Sequence, residues 1–135
     1  MISVILATLN SEKDLIGALS PLVPGSLEGV IHELVVCDGG STDATLAILE
    51  EAGAVMVEGG LEAAVDKAKG PWLLVIQPGS RLTYEWIEPV RRHLEAKGGA
   101  RRLVRRGLFA KPEGLLIRKT DYAAGRRNGP NLRIS

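Results

Sequence analysis

The sequence predicts a three-layer α/β fold, a mainly parallel sheet with helices on both faces, and three observations lead there. Short aliphatic, β-branched runs alternate with segments whose apolar residues recur at helical spacing, which is the pattern of successive strand–crossover–strand units. Apolar residues make up 45% of the 135-residue chain, enough for one sizeable core. Aromatic residues make up only 4%, so that core must be built from Val, Leu, Ile and Ala.

Taken in order, Ile2 to Leu6 reads as a strand buried on both faces. Thr8, Leu9 and Asn10 break it, and Ser11 followed by Asp14 has the spacing of a capping box. Leu15, Ile16, Leu19, Leu22 and Val23 continue as a helix that Pro21 and Pro24 end or kink. Leu34 to Cys37 is a second buried strand, closed by Asp38-Gly39-Gly40-Ser41-Thr42-Asp43, where Ser41 or Thr42 can cap the next helix. That helix carries Leu46, Ile48 and Leu49 and stops at Gly53. Ala54 to Val57 is a short third strand, Leu61 to Lys69 a short helix, and Trp72 to Ile76 a fourth buried strand. Trp86 to Lys97 is an amphipathic helix with Pro89 in its first turn. Beyond residue 100 the pattern weakens. Leu103 to Phe109 reads as strand or loop, and Gly114 to Ile117 as a strand. The domain is expected over residues 1–124, with 125–135 as a basic, mobile tail.

The net charge of +1 hides an asymmetry. Met1 to Glu88 carries four basic and thirteen acidic residues, a net of −9; Pro89 to Ser135 carries thirteen basic and three acidic, a net of +10. Such a split suits an anionic partner, an anionic membrane surface or a second copy of the chain meeting it half to half. The acidic first part and the few aromatics available for stacking disfavour nucleic acid. One cysteine, Cys37, excludes an internal disulfide framework and reads as a small core residue. The first apolar run is too short, and lacks the basic leader, for a secretory signal. No stretch approaches the ~18 apolar residues of a membrane span. A reduced, cytoplasmic, soluble protein is the resulting expectation. Trp72 and Trp86 are expected as core or rim packing rather than a sugar platform, and His32 and His93 lack partners for a metal site.

In open α/β sheets, ligands bind at the carboxyl ends of the strands. Two loops lie there, Ala7 to Ser11 and Asp38 to Asp43. Gly39 and Gly40 leave room for a flat ring to approach the backbone, and the next helix begins with free N–H groups. Asp38 can accept a hydrogen bond from a base. The other reading of the same residues is a tight strand-to-helix turn with Asp38 and Asp43 as caps.

The segments MISVILATLN (1–10) and VVCDGGSTDAT (35–45) closely resemble the first two strand–loop units of family 2 glycosyltransferases. GPWLLVIQPGSRL (70–82) resembles that family's strand leading into its Asp-x-Asp motif, and GLLIRKTDYAAG (114–125) is similar, more weakly, to a later segment. The resemblance implies a GT-A fold of the nucleotide-diphospho-sugar transferase type. It also implies binding of UDP or a UDP-sugar, with Thr8, Leu9, Asn10, Asp38, Gly39 and Gly40 around the nucleoside and Asp38 facing the uracil N3–H. If the chain is an active enzyme, it is a hexosyltransferase.

The sequence departs from the family at the metal. Gln77, Pro78 and Gly79 stand where Asp-x-Asp would hold Mg²⁺ or Mn²⁺, so no cofactor and no divalent metal are expected. Gly59, Gly60, Leu61 and Glu62 replace a polar stretch, and Glu62 would repel a diphosphate. Glu85, Glu88, Glu95, Glu113 and Asp121 stand isolated, with no Glu-Asp pair after residue 82, so no catalytic residue is assigned. Arg81, Arg101, Arg102, Arg105 and Arg106 are candidate phosphate or partner contacts. The expected function is a nucleotide- or nucleotide-sugar-binding domain with impaired or absent transferase activity. The alternatives are an active, metal-independent sugar transferase and a partner- or nucleic-acid-binding protein using the arginine-rich half.

Overall fold

The computed structural model describes residues 1–105 and 112–134. Its centre is a seven-stranded mixed sheet in the order β3-β2-β1-β4-β6-β5-β7. β1 (Ile2–Thr8), β2 (Ile31–Asp38), β3 (Val55–Val57) and β4 (Trp72–Ile76) run parallel. The β-branched and aliphatic runs made β1, β4 and the second half of β2 predictable because both faces are covered there, whereas the edge strand β3 leaves Met56 exposed. β6 (Pro112–Arg118) is antiparallel to β4 and to β5 (Arg101–Val104), and β7 (Asn131–Arg133) closes the edge parallel to β5.

Helices cover both faces. On one lie α1 (Glu12–Leu19), a 3₁₀ turn (Ser20–Leu22), α2 (Val23–Leu27), α3 (Thr45–Glu51) and α5 (Ile87–Glu95). Their Leu15, Leu22, Leu49, Ile87 and Val90 pack on Val4, Leu6, Leu74 and Leu116, around a fully buried Trp86. The Trp86 indole N–H donates to the Pro21 carbonyl at 2.6 Å, so the buried polar atom is satisfied. On the other face, α4 (Gly60–Lys67) and α6 (Lys119–Ala123) bury Ala64, Val65 and Tyr122 against Ile5, Val35, Leu73 and Ile117. The aliphatic core expected from composition is the core observed. Trp72 and Cys37 are buried too.

Two expectations are corrected. The capping box at Ser11 does not form, because Asp14 pairs with Arg81 at 3.1 Å and the Ser11 amide donates to Thr45 Oγ1 at 2.8 Å. Long-range partners outcompete the local one. The segment from residue 125 is docked, not a free tail: β7 belongs to the sheet and Ile134 is fully buried. Its arginines stay at the surface while Leu132 and Ile134 pack, so a basic composition does not make the segment a free tail. Within 103–109, Leu103 and Val104 are strand residues, and 106–109 lie outside the described residues. Among the described residues, no helix is long and apolar enough to cross a membrane.

Candidate nucleotide-binding site

β1 and β2 end side by side, with Thr8 in register with Asp38. β4 flanks β1 on its other side, Ile76 in register with Leu6, so Gln77 emerges next to the β1 loop. The three strand ends that the sequence singled out are therefore neighbours.

The two loops, Ala7 to Ser11 and Asp38 to Asp43, are tied into one platform. Asp38 Oδ1 accepts from the Thr8 and Ser41 hydroxyls, both at 2.6 Å. Asp38 Oδ2 accepts from the amides of Gly40 at 3.0 Å and Ser41 at 2.8 Å. The Asn10 amide donates to Ser41 Oγ at 2.9 Å, and Asn10 Oδ1 accepts from the Thr42 amide at 2.8 Å. Asn10 sits at φ 46°, a left-handed conformation that Asn tolerates better than most residues. The Leu9 side chain is left 60% exposed over Gly39, where an added Cβ would lie 3.5 Å from Leu9 Cδ1. That pair offers an apolar shelf beside unobstructed backbone.

This geometry refines the role read for Asp38. Its two oxygens already accept four hydrogen bonds, which fills the capacity of a carboxylate. Asp38 organises the loop, and a base N–H would have to displace one of those donors. Burial alone would raise its pKa. The Ser41 hydroxyl and amide, the Thr8 hydroxyl and the Gly40 amide outweigh burial and lower it to about 2. The start of α3 is likewise occupied. The Thr45 amide donates to Asp43 at 2.9 Å and the Ala44 amide to Glu12 at 2.8 Å. Ser41 and Thr42 do not cap this helix; Ser41 serves Asp38 instead. Two carboxylates guard this helix start, so it does not offer the open anion seat expected of it.

Beyond the platform, a cleft of about 450 Å³ opens between the end of β4 and the start of β6, with Gln77, Ser80, Glu113, Arg102 and Arg127 on its walls and Val75 and Leu115 as apolar lining. Glu113 is the carboxylate that sequence reasoning set aside as isolated. The antiparallel β4–β6 pairing brings it to the same cleft as Gln77, and nothing local in the sequence signals that. Its Oε2 accepts from the Arg81 amide at 2.6 Å and its Oε1 from Arg105 Nε at 3.1 Å.

The candidate phosphate contacts separate. Arg81 does not line the cleft; it turns back to Asp14, at 3.1 Å, and to the Pro78 and Ser80 carbonyls, at 3.0 and 2.8 Å. Arg101 donates to the Asn131 carbonyl and Arg105 pairs with Glu113. Arg102 does reach the cleft. Arg106 lies outside the described residues. The repulsive Glu62 is paired with Arg127 at 3.1 Å.

No protein-family model matches the chain, and no match is found among curated proteins. Solved structures do match. Staphylococcus aureus TarS, residues 1–349, superposes with a TM-score of 0.76 at 18% identity over 93% of this chain and 49% of that one. Glucosyl-3-phosphoglycerate synthase from Mycobacterium tuberculosis, in complex with Mn²⁺, UDP and glucosyl-3-phosphoglycerate, gives 0.68 at 16% over 99% of this chain and 70% of that one. The mannosyltransferase PcManGT from Pyrobaculum calidifontis, in complex with GDP-Man and Mn²⁺, gives 0.70 at 17% over 92% and 46%.

These neighbours correct the expectation of no cofactor and no divalent metal, because two of them hold Mn²⁺ on this fold. The carboxylate at this strand end comes not from an Asp-x-Asp after β4 but from Glu113 of β6. Ions of this kind bind through one or two carboxylates plus substrate phosphate oxygens. Glu113 and the Gln77 amide oxygen are side-chain oxygens of the cleft that could join diphosphate oxygens around such an ion. Among the described residues no group of three or more His, Cys, Asp or Glu gathers into an all-protein cage. The chain spans about half the length of TarS 1–349. Over that span it has the fold of these GT-A glycosyltransferases.

Proposed function

We propose that this domain binds UDP or a UDP-sugar and that its sugar-transfer activity is weak or absent. The observation that carries the binding half is the tied platform of Thr8–Asn10 and Asp38–Ser41, rigid before any ligand arrives. The nucleoside lies on Leu9 and Gly39 and meets backbone groups at Thr8, Asn10 and Gly40. The diphosphate extends towards Gln77 and Glu113, which hold a divalent cation together with its oxygens. The related folds that contain UDP, UDP-GlcNAc or GDP-Man support this reading.

Weak transfer follows from the donor set. One carboxylate serves where a pair would offset more charge on the departing diphosphate, and that carboxylate is already engaged by Arg105 and the Arg81 amide. Losing one preorganised stabiliser of developing charge costs roughly 10²–10³ in rate.

Calorimetric titration with UDP, with and without Mn²⁺ and with an Asp38→Ala control, tests the proposal. Binding that Mn²⁺ strengthens and Asp38→Ala removes supports it. Absence of UDP binding at millimolar concentration refutes it. Turnover of a UDP-sugar at ordinary glycosyltransferase rates would retain the site and refute the impairment.

A further inference from the structure

The cleft is lined by two chemically different sets of side chains. One is Gln77, Ser80 and Glu113. The other is Arg102 and Arg127, which the nucleotide reading does not use. Both guanidiniums are positioned by the fold. Arg102 Nε donates to the Gly129 carbonyl at 3.0 Å, which leaves its terminal nitrogens as donors. Arg127 stacks on the Tyr122 ring at 4.1 Å, donates Nε to the Tyr122 carbonyl at 3.3 Å and meets Glu62 at 3.1 Å.

That arrangement depends on the docked C-terminal segment. Gly129 passes so close to the sheet that an added Cβ would lie 2.0 Å from the Ala100 carbonyl oxygen. This approach sets the Gly129 carbonyl against Arg102 and carries Arg127 to the cleft. The Glu113 charge is offset by Arg105 and that of Glu62 by Arg127, so the Arg102 charge is left uncompensated among these lining residues. Arg102 and Arg127 present donors beside apolar lining from Val75 and Leu115, the combination that holds a small oxyanion with a carbon skeleton.

We infer that this cleft binds a small hydroxyl compound bearing a phosphate monoester, with Arg102 and Arg127 on the phosphate and the hydroxyl-bearing carbons among the other lining residues. Its role as the seat of a second ligand beside the nucleotide rests on the proposed function; the anion site itself stands on the arginines.

Titration of the full chain with glycerol 3-phosphate, with glycerol as the uncharged control and UDP–Mn²⁺ as a separate arm, tests it. Glycerol 3-phosphate should bind and glycerol should not. Arg102→Gln and Arg127→Gln should each weaken glycerol 3-phosphate about tenfold or more, the scale of a lost charge-assisted contact, and Arg102→Lys less. Thermal melting distinguishes a lost contact from a lost fold, and Arg102→Lys carries the test if a Gln variant unfolds. UDP binding without glycerol 3-phosphate binding overturns the inference and leaves the nucleotide reading standing. Glycerol 3-phosphate binding without UDP binding refutes the nucleotide reading and keeps the anion site. Should Arg102→Gln weaken UDP but not glycerol 3-phosphate, the arginine belongs to the donor diphosphate and the inference fails.

Discussion

The Thr8 hydroxyl donates to the Asp38 carboxylate at 2.6 Å, at the register position where β1 and β2 both end. Thr8 is buried, so its hydroxyl depends on that acceptor. Asp38→Ala leaves four donors without their carboxylate. It should cost about 2–3 kcal/mol of stability, the scale of stranding buried or partly buried donors, and loosen both loops. Chemical denaturation measures the first effect. Loss of UDP binding in a variant that remains folded at low temperature measures the second.

The same carboxylate makes stability depend on acid. Folding lowers the Asp38 pKa from 3.8 to about 2, so the folded chain binds that proton less tightly than the unfolded one. Its contribution is complete above pH 4 and disappears as the pH falls towards 2. Discounted for partial exposure, it amounts to about 1–2 kcal/mol. Asp43 is lowered in the same direction, chiefly by the Thr45 hydroxyl, and adds to the loss. Denaturant midpoints measured from pH 5 to pH 2 should fall, and Asp38→Asn should flatten the fall.

The sequence made β1, β2 and β4 legible because strands buried on both faces are written as unbroken aliphatic runs. β4 was expected at Trp72–Ile76 and occupies those residues. The platform residues were legible for a related reason: glycines, hydroxyls and an aspartate cluster where two such runs stop. What could not be read depends on pairing between distant segments. β7 has only three residues, two of them polar, and gains its place from β5 and from the buried Ile134 beyond it. Glu113 has no neighbour in sequence that marks it, and only the antiparallel β4–β6 ladder brings it to the cleft that Gln77 lines. Asp14 looked like a local cap, yet Arg81, 67 positions away, holds it.

Packing around the largest buried ring leads to a stability prediction. An added Cβ at Gly25 would lie 2.6 Å from Trp86 Cζ2, and Trp86 is anchored by its own hydrogen bond to Pro21. The ring cannot retreat without breaking that bond. Gly25→Ala should destabilise by about 1–3 kcal/mol, the range for overpacking a tight core. A lower thermal midpoint should accompany it. An unchanged midpoint would show that α2 shifts freely.

Gly129→Ala tests the docking of the last strand. The obstacle there is backbone, the Ala100 carbonyl, rather than a side chain that could move aside. The variant should release 129–134 from the sheet and expose Leu103 and Ile134, which are buried in the native fold. Limited proteolysis should then cut after Arg126 or Arg127 well before the rest of the chain. Resistance equal to that of the parent would mean that β7 holds without the close approach.

Glu113→Gln separates the metal reading from the nucleotide platform. The substitution keeps the size of the side chain and a carbonyl oxygen to accept from the Arg81 amide. It removes the negative charge that a hard divalent ion requires. UDP affinity without metal should change little, because the platform at Thr8, Asn10 and Asp38 does not include Glu113. The gain in affinity on adding Mn²⁺ should fall about tenfold or disappear, in line with the loss of one charged ligand among few. Titrations of parent and variant with UDP at increasing Mn²⁺ measure this directly. An Mn²⁺ dependence identical in the two proteins would place the ion elsewhere on the nucleotide and leave Glu113 as the anchor of Arg81 and Arg105 alone.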